Sequence, residues 1–517
     1  RDLHLSLRRQ RQMCIRDRFY TNIQLAGDTI LYRGYEDGKP VQFRGQFSPT
    51  LYVPSNKKED FRTLDGRPVK PIEFMTARSA REFIKQYDGV EGFEVFGYER
   101  FVYQYIRREF PGEIDYNINQ MRIYALDIEV QCDNGFPSVE EAAEEMLSIT
   151  VKDLITKKIC VWAVREFDVP DGIEANIFWN EKEMLSHFLE WWALNTPDIL
   201  TGWNVNLYDV PYIARRVNRI LGNKWMRSLS PWNRANEREV YVQGRKNYAY
   251  DISGINILDY LDLYRKFTYS NQESYRLDHI AFVELGQRKL DHSEYENFKD
   301  FYTRDWQKFI EYNIQDVELI DRLEDKMKLL ELAITMSYDA KANFEDVYSQ
   351  VRMWDTMIYN YLTDRNVVVP ARKGAKKDEK YAGAYVKEPI PGKYDWVVSF
   401  DLNSLYPHLI MQYNISPETL LGTKHPSATV DGLLNRTVRI DGDFAVCANG
   451  AQYRKDIRGF LPEMMEKIYE ERTIYKKKML SAKREYEVHP SPKLQRDISK
   501  FNNIQMARKI QLNSAYG

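Results

Sequence analysis

The segment Tyr124-Ala-Leu-Asp-Ile-Glu-Val130 constrains this chain more than any other stretch, because its alternation sets the character of two faces at once. Successive side chains of a strand point to opposite sides. Leu126, Ile128 and Val130 therefore line an apolar face, and Asp127 and Glu129 share the other. Two carboxylates on one strand face repel each other unless a cation sits between them. The plainer reading is an edge strand carrying two solvated acids. From Tyr124 to about Asp262, strand-like and helix-like patterns alternate, the mark of an α/β layer.

Two further segments carry carboxylates with a definite local setting. In Thr201-Gly-Trp-Asn-Val-Asn-Leu-Tyr-Asp-Val-Pro-Tyr212, Asp209 stands where a helix N-cap belongs. Pro211 falls in the first turn, and Val210, Ile213 and Val217 follow at helical spacing. Asp209 can thus be a simple cap, and Asn204 a turn residue. In Tyr312-Asn-Ile-Gln-Asp316, Tyr312 and Asp316 are one helical turn apart and share a face, which on an ordinary helix is surface. Together the three segments say more than each alone. Asp127, Glu129, Asp209 and Asp316, converging from a strand, a helix start and a second helix, can hold two divalent ions, with Tyr312 orienting an attacking water. Oxygen-only ligands point to Mg²⁺ or Mn²⁺ rather than zinc.

The order and chemistry of these segments resemble the three Exo motifs of DnaQ-like 3′→5′ exonucleases, the third in its Tyr-x-x-x-Asp form. The resemblance implies a ribonuclease H-like exonuclease domain acting on single-stranded DNA, with Asn204 as a DNA contact.

A second constellation lies downstream. Val397-Val-Ser-Phe-Asp-Leu-Asn-Ser-Leu-Tyr-Pro407 reads as an apolar strand, Trp396 to Phe400, ending at Asp401 and turning tightly into a helix. A carboxylate at a strand end can bind a metal, and the backbone N–H groups after it can cradle phosphate. A buried strand followed by a helix cap is the plainer alternative. On the terminal helix, Lys509, Asn513 and Tyr516 fall on one face, and Arg472 and Lys476 are likewise one turn apart. Asp-x-x-Ser-Leu-Tyr-Pro and Lys-x-x-x-Asn-Ser-x-Tyr-Gly resemble motifs A and B of family B DNA polymerases. Ile257 to Tyr264, Met336 to Tyr338, Trp354-Asp355, Gly383-Ala384 and Ile415 to Thr419 point to the T-even phage type.

That resemblance runs from about Phe19 to Gly517. It implies Asp401 and Leu402 as metal ligands of a second two-metal site. Ser404, Leu405, Tyr406, Arg472, Lys476, Lys509 and Asn513 would hold a dNTP, Tyr406 being the steric gate. Tyr381, Gly383, Tyr516 and Gly517 would touch DNA. The implied architecture is multidomain, α/β and α+β. A β-rich N-terminal domain comprises 19–121 and 329–372, the exonuclease domain 122–328, a partial palm 373–458 and partial helical fingers 459–517. A hairpin used in strand switching falls at about 241–251. The implied partners are primer-template DNA, a sliding clamp and other replisome proteins, in the cytoplasm of an infected bacterial host.

Length and composition agree but do not decide. At 517 residues the chain exceeds one hydrophobic core, so two to four domains are expected. A net charge of −2, from 74 basic and 76 acidic residues, gives bulk support to no nucleic-acid partner. Four cysteines without CxxC spacing suggest neither zinc nor disulfides. No apolar run is long enough for a membrane span, and no targeting signal is evident. Residues 1–18, rich in arginine, read as a non-native or disordered leader, and Arg372 to Lys377 as a basic linker. A helical stretch is expected over 305–337, and an almost wholly helical tail from Pro462. The family's Asp-Thr-Asp motif C does not occur. The expectation is therefore an incomplete polymerase, cut short or completed by a second chain, with its exonuclease site intact. The alternatives are a dedicated exonuclease and a non-catalytic single-strand binding module.

Overall fold

The computed structural model describes residues 18–133, 135–268, 270–370 and 388–516. The linker Arg372 to Lys377, Tyr381, Gly383 and Gly517 lie outside the described residues, as does all of the supposed leader except Arg18. The chain divides into two compact units. One takes the described residues of Arg1–Pro49, Met75–Ser79 and Arg100–Asn360; the other takes Thr50–Phe74, Ala80–Glu99 and those of Tyr361–Gly517.

The first unit opens with an antiparallel meander, β1 (Arg18–Ala26), β2 (Thr29–Glu36) and β3 (Lys39–Gln46). Asp37 and Gly38 both take positive φ, the two-residue turn whose twist matches its flanking strands. Arg18 belongs to β1 and not to a leader. Its guanidinium lies 5.2 Å from the ring centroids of Tyr32 and Phe110, a cation–aromatic anchor that composition alone did not reveal.

The core of this unit is a six-stranded mixed sheet. Its strands are β4 (Ile123–Val130), β5 (Met146–Asp153), β6 (Ile159–Ala163), β7 (Ile173–Ile177) and β8 (Ile199–Thr201). After a hairpin of β9 (Ala235–Val242) and β10 (Arg245–Ile252) comes the sixth, β11 (Asn256–Ile257). The order across the sheet is β7-β6-β5-β4-β8-β11. β4, β5 and β6 run antiparallel, while β7, β8 and β11 join in parallel.

Alternation assigns the two faces. Leu126, Ile128, Val130, Ile149, Val151 and Trp162 meet α1 (Glu181–Leu194) and α2 (Asp209–Ile220). On the opposite face Leu147, Ile159, Val161 and Ala163 meet residues of α4 (Phe298–Arg304) and α5 (Trp306–Met327), α3 being the short helix Tyr260–Phe267. Leu147 reaches that second face through a register shift at Glu129/Val130. The expected helical stretch is α5 followed by α6 (Leu329–Ala340), broken at Lys328, whose φ is 57°. The meander is tied to the sheet by buried Asp198. It accepts from Thr21 Oγ1 at 2.8 Å, Tyr35 OH at 2.8 Å and the Arg122 amide at 2.9 Å.

In the second unit a three-stranded sheet pairs Thr50–Pro54, Pro68–Glu73 and Phe61–Arg62. Its small core joins Val69, Phe96 and Val368. Further on come α7 (Leu405–Tyr413) and the long antiparallel pair α8 (Phe460–Val488) and α9 (Pro492–Ser514), matching the expected helical tail. The strand expected over Trp396 to Phe400 does not form; Trp396 is 98% and Phe400 91% exposed. An apolar strand needs a neighbour to bond its amides and carbonyls. No described strand pairs with this segment, and Trp396 departs from extended backbone at φ 63°.

Candidate active site

The register of β4 on β5 sets Asp127 opposite Thr150 and Glu129 opposite Ser148, so all four share the face covered by α5. From α5 comes Asp316. One side-chain oxygen from each of Asp127, Glu129 and Asp316 lies within 4.8 Å of the other two, the one group able to hold a metal among the described residues. Glu129 and Asp316 are buried, and Asp127 keeps partial access to solvent. Burial, then the neighbouring charges of Asp316 and Asp209, pushes the Asp127 pKa far above the carboxylate range. Glu129 rises chiefly by burial, with Asp316 adding to it. Burial also raises Asp316, against the pull of Lys289. Three carboxyls this close are stable only if protonated or neutralised by cations. Asp316 Oδ1 is buried with no hydrogen-bond donor among the described residues, an acceptor left over. Its lone pairs and the all-oxygen donor set fit a hard divalent cation.

Asp209 arrives differently from the other three. It is the first residue of α2, not its cap, and its Oδ1 accepts from the Ile128 amide at 3.1 Å. It is buried beside β4, between the two motif acids, and outside the group of three. Burial raises it to about 7 while the Ile128 amide opposes the shift.

The loop before Asp209 is held by a residue of the Ile257 to Tyr264 segment to which the sequence assigned no role. Asp259, the N-cap of α3, accepts from the amides of Asn204 at 3.1 Å, Asn206 at 3.0 Å and Leu261 at 3.0 Å. Asn204 sits in the left-handed region at φ 66°, so the turn-residue reading of its backbone is correct. At Gly202 a Cβ would meet the Leu126 carbonyl at 2.6 Å, so only glycine lets this loop lie against β4.

Lys289 was also missed. Its Nζ donates to Asp316 Oδ2 and, at 3.0 Å, to the Tyr312 hydroxyl. Burial alone would lower its pKa, but Asp316, Tyr312 and Asp127 outweigh that and raise it. Nothing in the string Gln287-Arg288-Lys289-Leu290 separates it from a surface lysine. Tyr312 is packed by His292, ring centroids 5.5 Å apart. Phe136 is the third omission. It is 83% exposed, yet its ring lies 5.1 Å from that of Tyr208, next to Asp209.

In the second unit the nucleotide-site residues are partly gathered. Tyr406 and Tyr516 stack with centroids 4.6 Å apart. Arg472 Nη1 reaches Ser404 Oγ at 3.5 Å, and its Nε is buried without a hydrogen-bond partner among the described residues. Ser404 precedes α7 in the left-handed region, with Leu405 as the first helical residue. Lys476 and Asn513 are exposed and Lys509 is half-buried, on α8 and α9. Asp401 and Leu402 are exposed, and Asp401 belongs to no group of three or more potential metal-binding side chains among the described residues.

Comparison with known proteins gives the family of the chain. Residues 98–280 match the DNA polymerase family B exonuclease domain and residues 346–517 match DNA polymerase family B. Lys289, Tyr312 and Asp316 fall between the two matches. The chain is 32% identical to the DNA-directed DNA polymerase of Escherichia phage RB69 over 501 residues, 91% of this chain and 55% of that protein. It is 31% identical to the enzyme of that name from Enterobacteria phage T4, over 90% of this chain and 54% of the phage protein. A DNA polymerase of Thermococcus gorgonarius is 26% identical over 77% of this chain. The chain spans about half the length of these curated relatives. It belongs to DNA polymerase family B.

Proposed function

We propose that the first unit removes nucleotides from the 3′ end of DNA, as the proofreading part of a replicative DNA-directed DNA polymerase. The observation that carries this is the convergence of Asp127, Glu129 and Asp316 within 4.8 Å, with Asp316 Oδ1 buried and without a donor among the described residues. The strand order β6-β5-β4-β8-β11, antiparallel for the first three and parallel after, supports a ribonuclease H-like reading of the domain.

Asp127, Glu129 and Asp316 would hold divalent ions, Mg²⁺ or Mn²⁺, with Asp209 joining them in a two-metal arrangement. When bound, such ions make hydroxide available at neutral pH and stabilise the leaving 3′ oxygen. Tyr312 holds the attacking water through its hydroxyl. Lys289 keeps that hydroxyl and Asp316 in place. Phe136 and Tyr208 offer a stacking surface at the edge of the site, where an unpaired terminal base binds more cheaply than a paired one. Asn204, on its fixed loop, contacts the strand.

The second unit supports the copying half of the same reading. Ser404 and Leu405 offer backbone amides to a dNTP triphosphate, and Arg472, Lys476, Lys509 and Asn513 face its phosphates. Tyr406 excludes a 2′-hydroxyl, Tyr516 supports the base pair, and Asp401 with the Leu402 carbonyl holds metal. Primer-template DNA, a sliding clamp and other replisome proteins are the partners, in the cytoplasm of an infected bacterium. No described helix is long and apolar enough to cross a membrane.

The test is incubation of the chain with a 5′-labelled single strand and Mg²⁺, beside an Asp127→Ala/Glu129→Ala variant. Stepwise shortening from the 3′ end, lost in the variant, is expected. Retention of full-length strand by folded, DNA-bound protein would refute the reading. With primer-template and dNTPs added, shortening without extension is expected, because Asp401 belongs to no group of three or more metal-binding side chains among the described residues.

A further inference from the structure

We propose that Asn313 is the positioning residue of the carboxylate site, an amide that fixes Asp127 at its working distance from Glu129 and Asp316 before any ion arrives. The proposal rests on the exonuclease reading only for its effect on cleavage; its effect on cation affinity stands apart.

Asn313 is fully buried in the interface between α5 and the sheet. Its Nδ2 donates to Asp127 Oδ2 at 2.7 Å. Its Oδ1 accepts from Ser148 Oγ at 3.0 Å and from Thr150 Oγ1. These two hydroxyls stand on β5 directly opposite Glu129 and Asp127. The amide thus joins three elements: the strand that bears the acids, its antiparallel neighbour, and the helix that bears Asp316.

The orientation of the amide follows from donor arithmetic. An ionised carboxylate only accepts, whereas a hydroxyl can donate or accept. Turning the amide over would set Oδ1 against Asp127 Oδ2, two acceptors in contact. The hydroxyls adapt, and the ionised form of Asp127 that would bind a cation cannot, so Nδ2 faces Asp127 in that state.

Asn313 is the only donor among the described residues that reaches the Asp127 side chain. Without it, repulsion from Glu129 and Asp316 would turn that carboxyl away, toward the solvent it partly touches. With it, one oxygen is tethered and the other is left for a cation. Asp316 has its own donor in Lys289, and Glu129 is held by burial. The device is legible in β5 itself. Ser148, Thr150 and Lys152 form a polar row facing α5, and Lys152 pairs with Asp321 at 3.0 Å. The first two rungs have no charge to answer, and their shared partner is Asn313.

The experiment measures Mn²⁺ binding to the full chain without DNA, by the paramagnetic signal of free Mn²⁺, together with cleavage of a labelled single strand at limiting and saturating Mg²⁺. The variants are Asn313→Ala, Asn313→Leu, which fills the space without hydrogen bonds, and Ser148→Ala/Thr150→Val, which leaves the amide but removes its anchors. Loss of such supporting hydrogen bonds typically costs about 10- to 100-fold in metal affinity. That range is expected for both Asn313 variants, with a smaller loss for the double variant. The KM for the strand should stay unchanged, and saturating Mg²⁺ should restore part of the rate.

Wild-type Mn²⁺ affinity in folded Asn313→Leu would overturn the proposal, as would a rise in strand KM with unchanged metal dependence. Should the Asn313 variants not fold, the double variant decides in the same terms. A wild-type chain that binds Mn²⁺ but does not shorten DNA would refute the exonuclease reading and leave the Mn²⁺ comparison standing.

Discussion

Lys289 places an ammonium in the middle of a carboxylate site, where it does two opposed things. It neutralises part of the charge on Asp316, and it fills space next to oxygens that a divalent ion would bind. Changing Lys289 to Met keeps the aliphatic stem and removes the charge. Tyr312 then loses its donor at 3.0 Å and Asp316 its counter-ion. Breaking a buried pair from one side leaves the other charge uncompensated. The expected result is a fall of about tenfold or more in the cleavage rate, with single-strand binding retained. Equal loss of both in a strand-binding titration would assign Lys289 to the DNA instead. Lys289 was invisible in the sequence because a lysine in a turn-rich segment is ordinary until the fold brings it to α5. Periodicity set Asp127 and Glu129 on one face but read Asp316 as ordinary helix surface, and only the order of the three segments pointed to their convergence.

At the scale of elements, the loop from Gly202 to Asp209 shows how little of a site lies in its ligands. Asp259 grips two of its amides, and Gly202 lets it rest on the β4 backbone. Gly202→Ala would drive a methyl group into the Leu126 carbonyl, so the loop must lift from the strand between Asp127 and Glu129. Overpacking of this kind typically costs about 1–3 kcal/mol. A lower thermal midpoint and slower cleavage are expected together; an unchanged midpoint with wild-type cleavage would show that the loop yields without harm.

Helices and most strands followed their sequence patterns because each reflects a local period. The segment Trp396 to Phe400 did not, since pairing is a property of two strands and the pattern describes one. The hairpin at β9 and β10 was legible as a turn-rich stretch. Its turn, Gln243-Gly244, takes positive φ at both positions, as a two-residue hairpin requires.

For the whole molecule, a buried carboxyl away from the site sets a pH dependence. Burial raises Glu324 to about 7 from an ordinary 4.5. Glu324 accepts from the amides of Leu330 and Glu331 and from the Tyr260 hydroxyl, joining α5, α6 and α3. A carboxyl whose pKa is raised by folding favours the folded state while protonated. That stability is present at pH 4 and is lost as pH rises through the interval from about 4.5 to 7. The thermal midpoint should therefore be lower at pH 8 than at pH 6, and Glu324→Gln should flatten the slope. A midpoint that rises from pH 6 to pH 8 in the wild type would contradict this assignment.

The division of the chain into two units has a consequence in time. Neither unit is one continuous stretch, since the chain leaves the first unit at Pro49, returns at Met75 and Arg100, and departs again after Asn360. The sheet that holds Val69 and Phe96 is completed by Val368, and Arg62 forms its bridge to Val367. A ribosome thus delivers that sheet long before its last piece, with Val69 and Phe96 waiting uncovered while the whole exonuclease segment is made. The growing chain has to shield an unfinished surface from the synthesis of Phe96 until that of Val368, and a halt before Val368 would release it exposed.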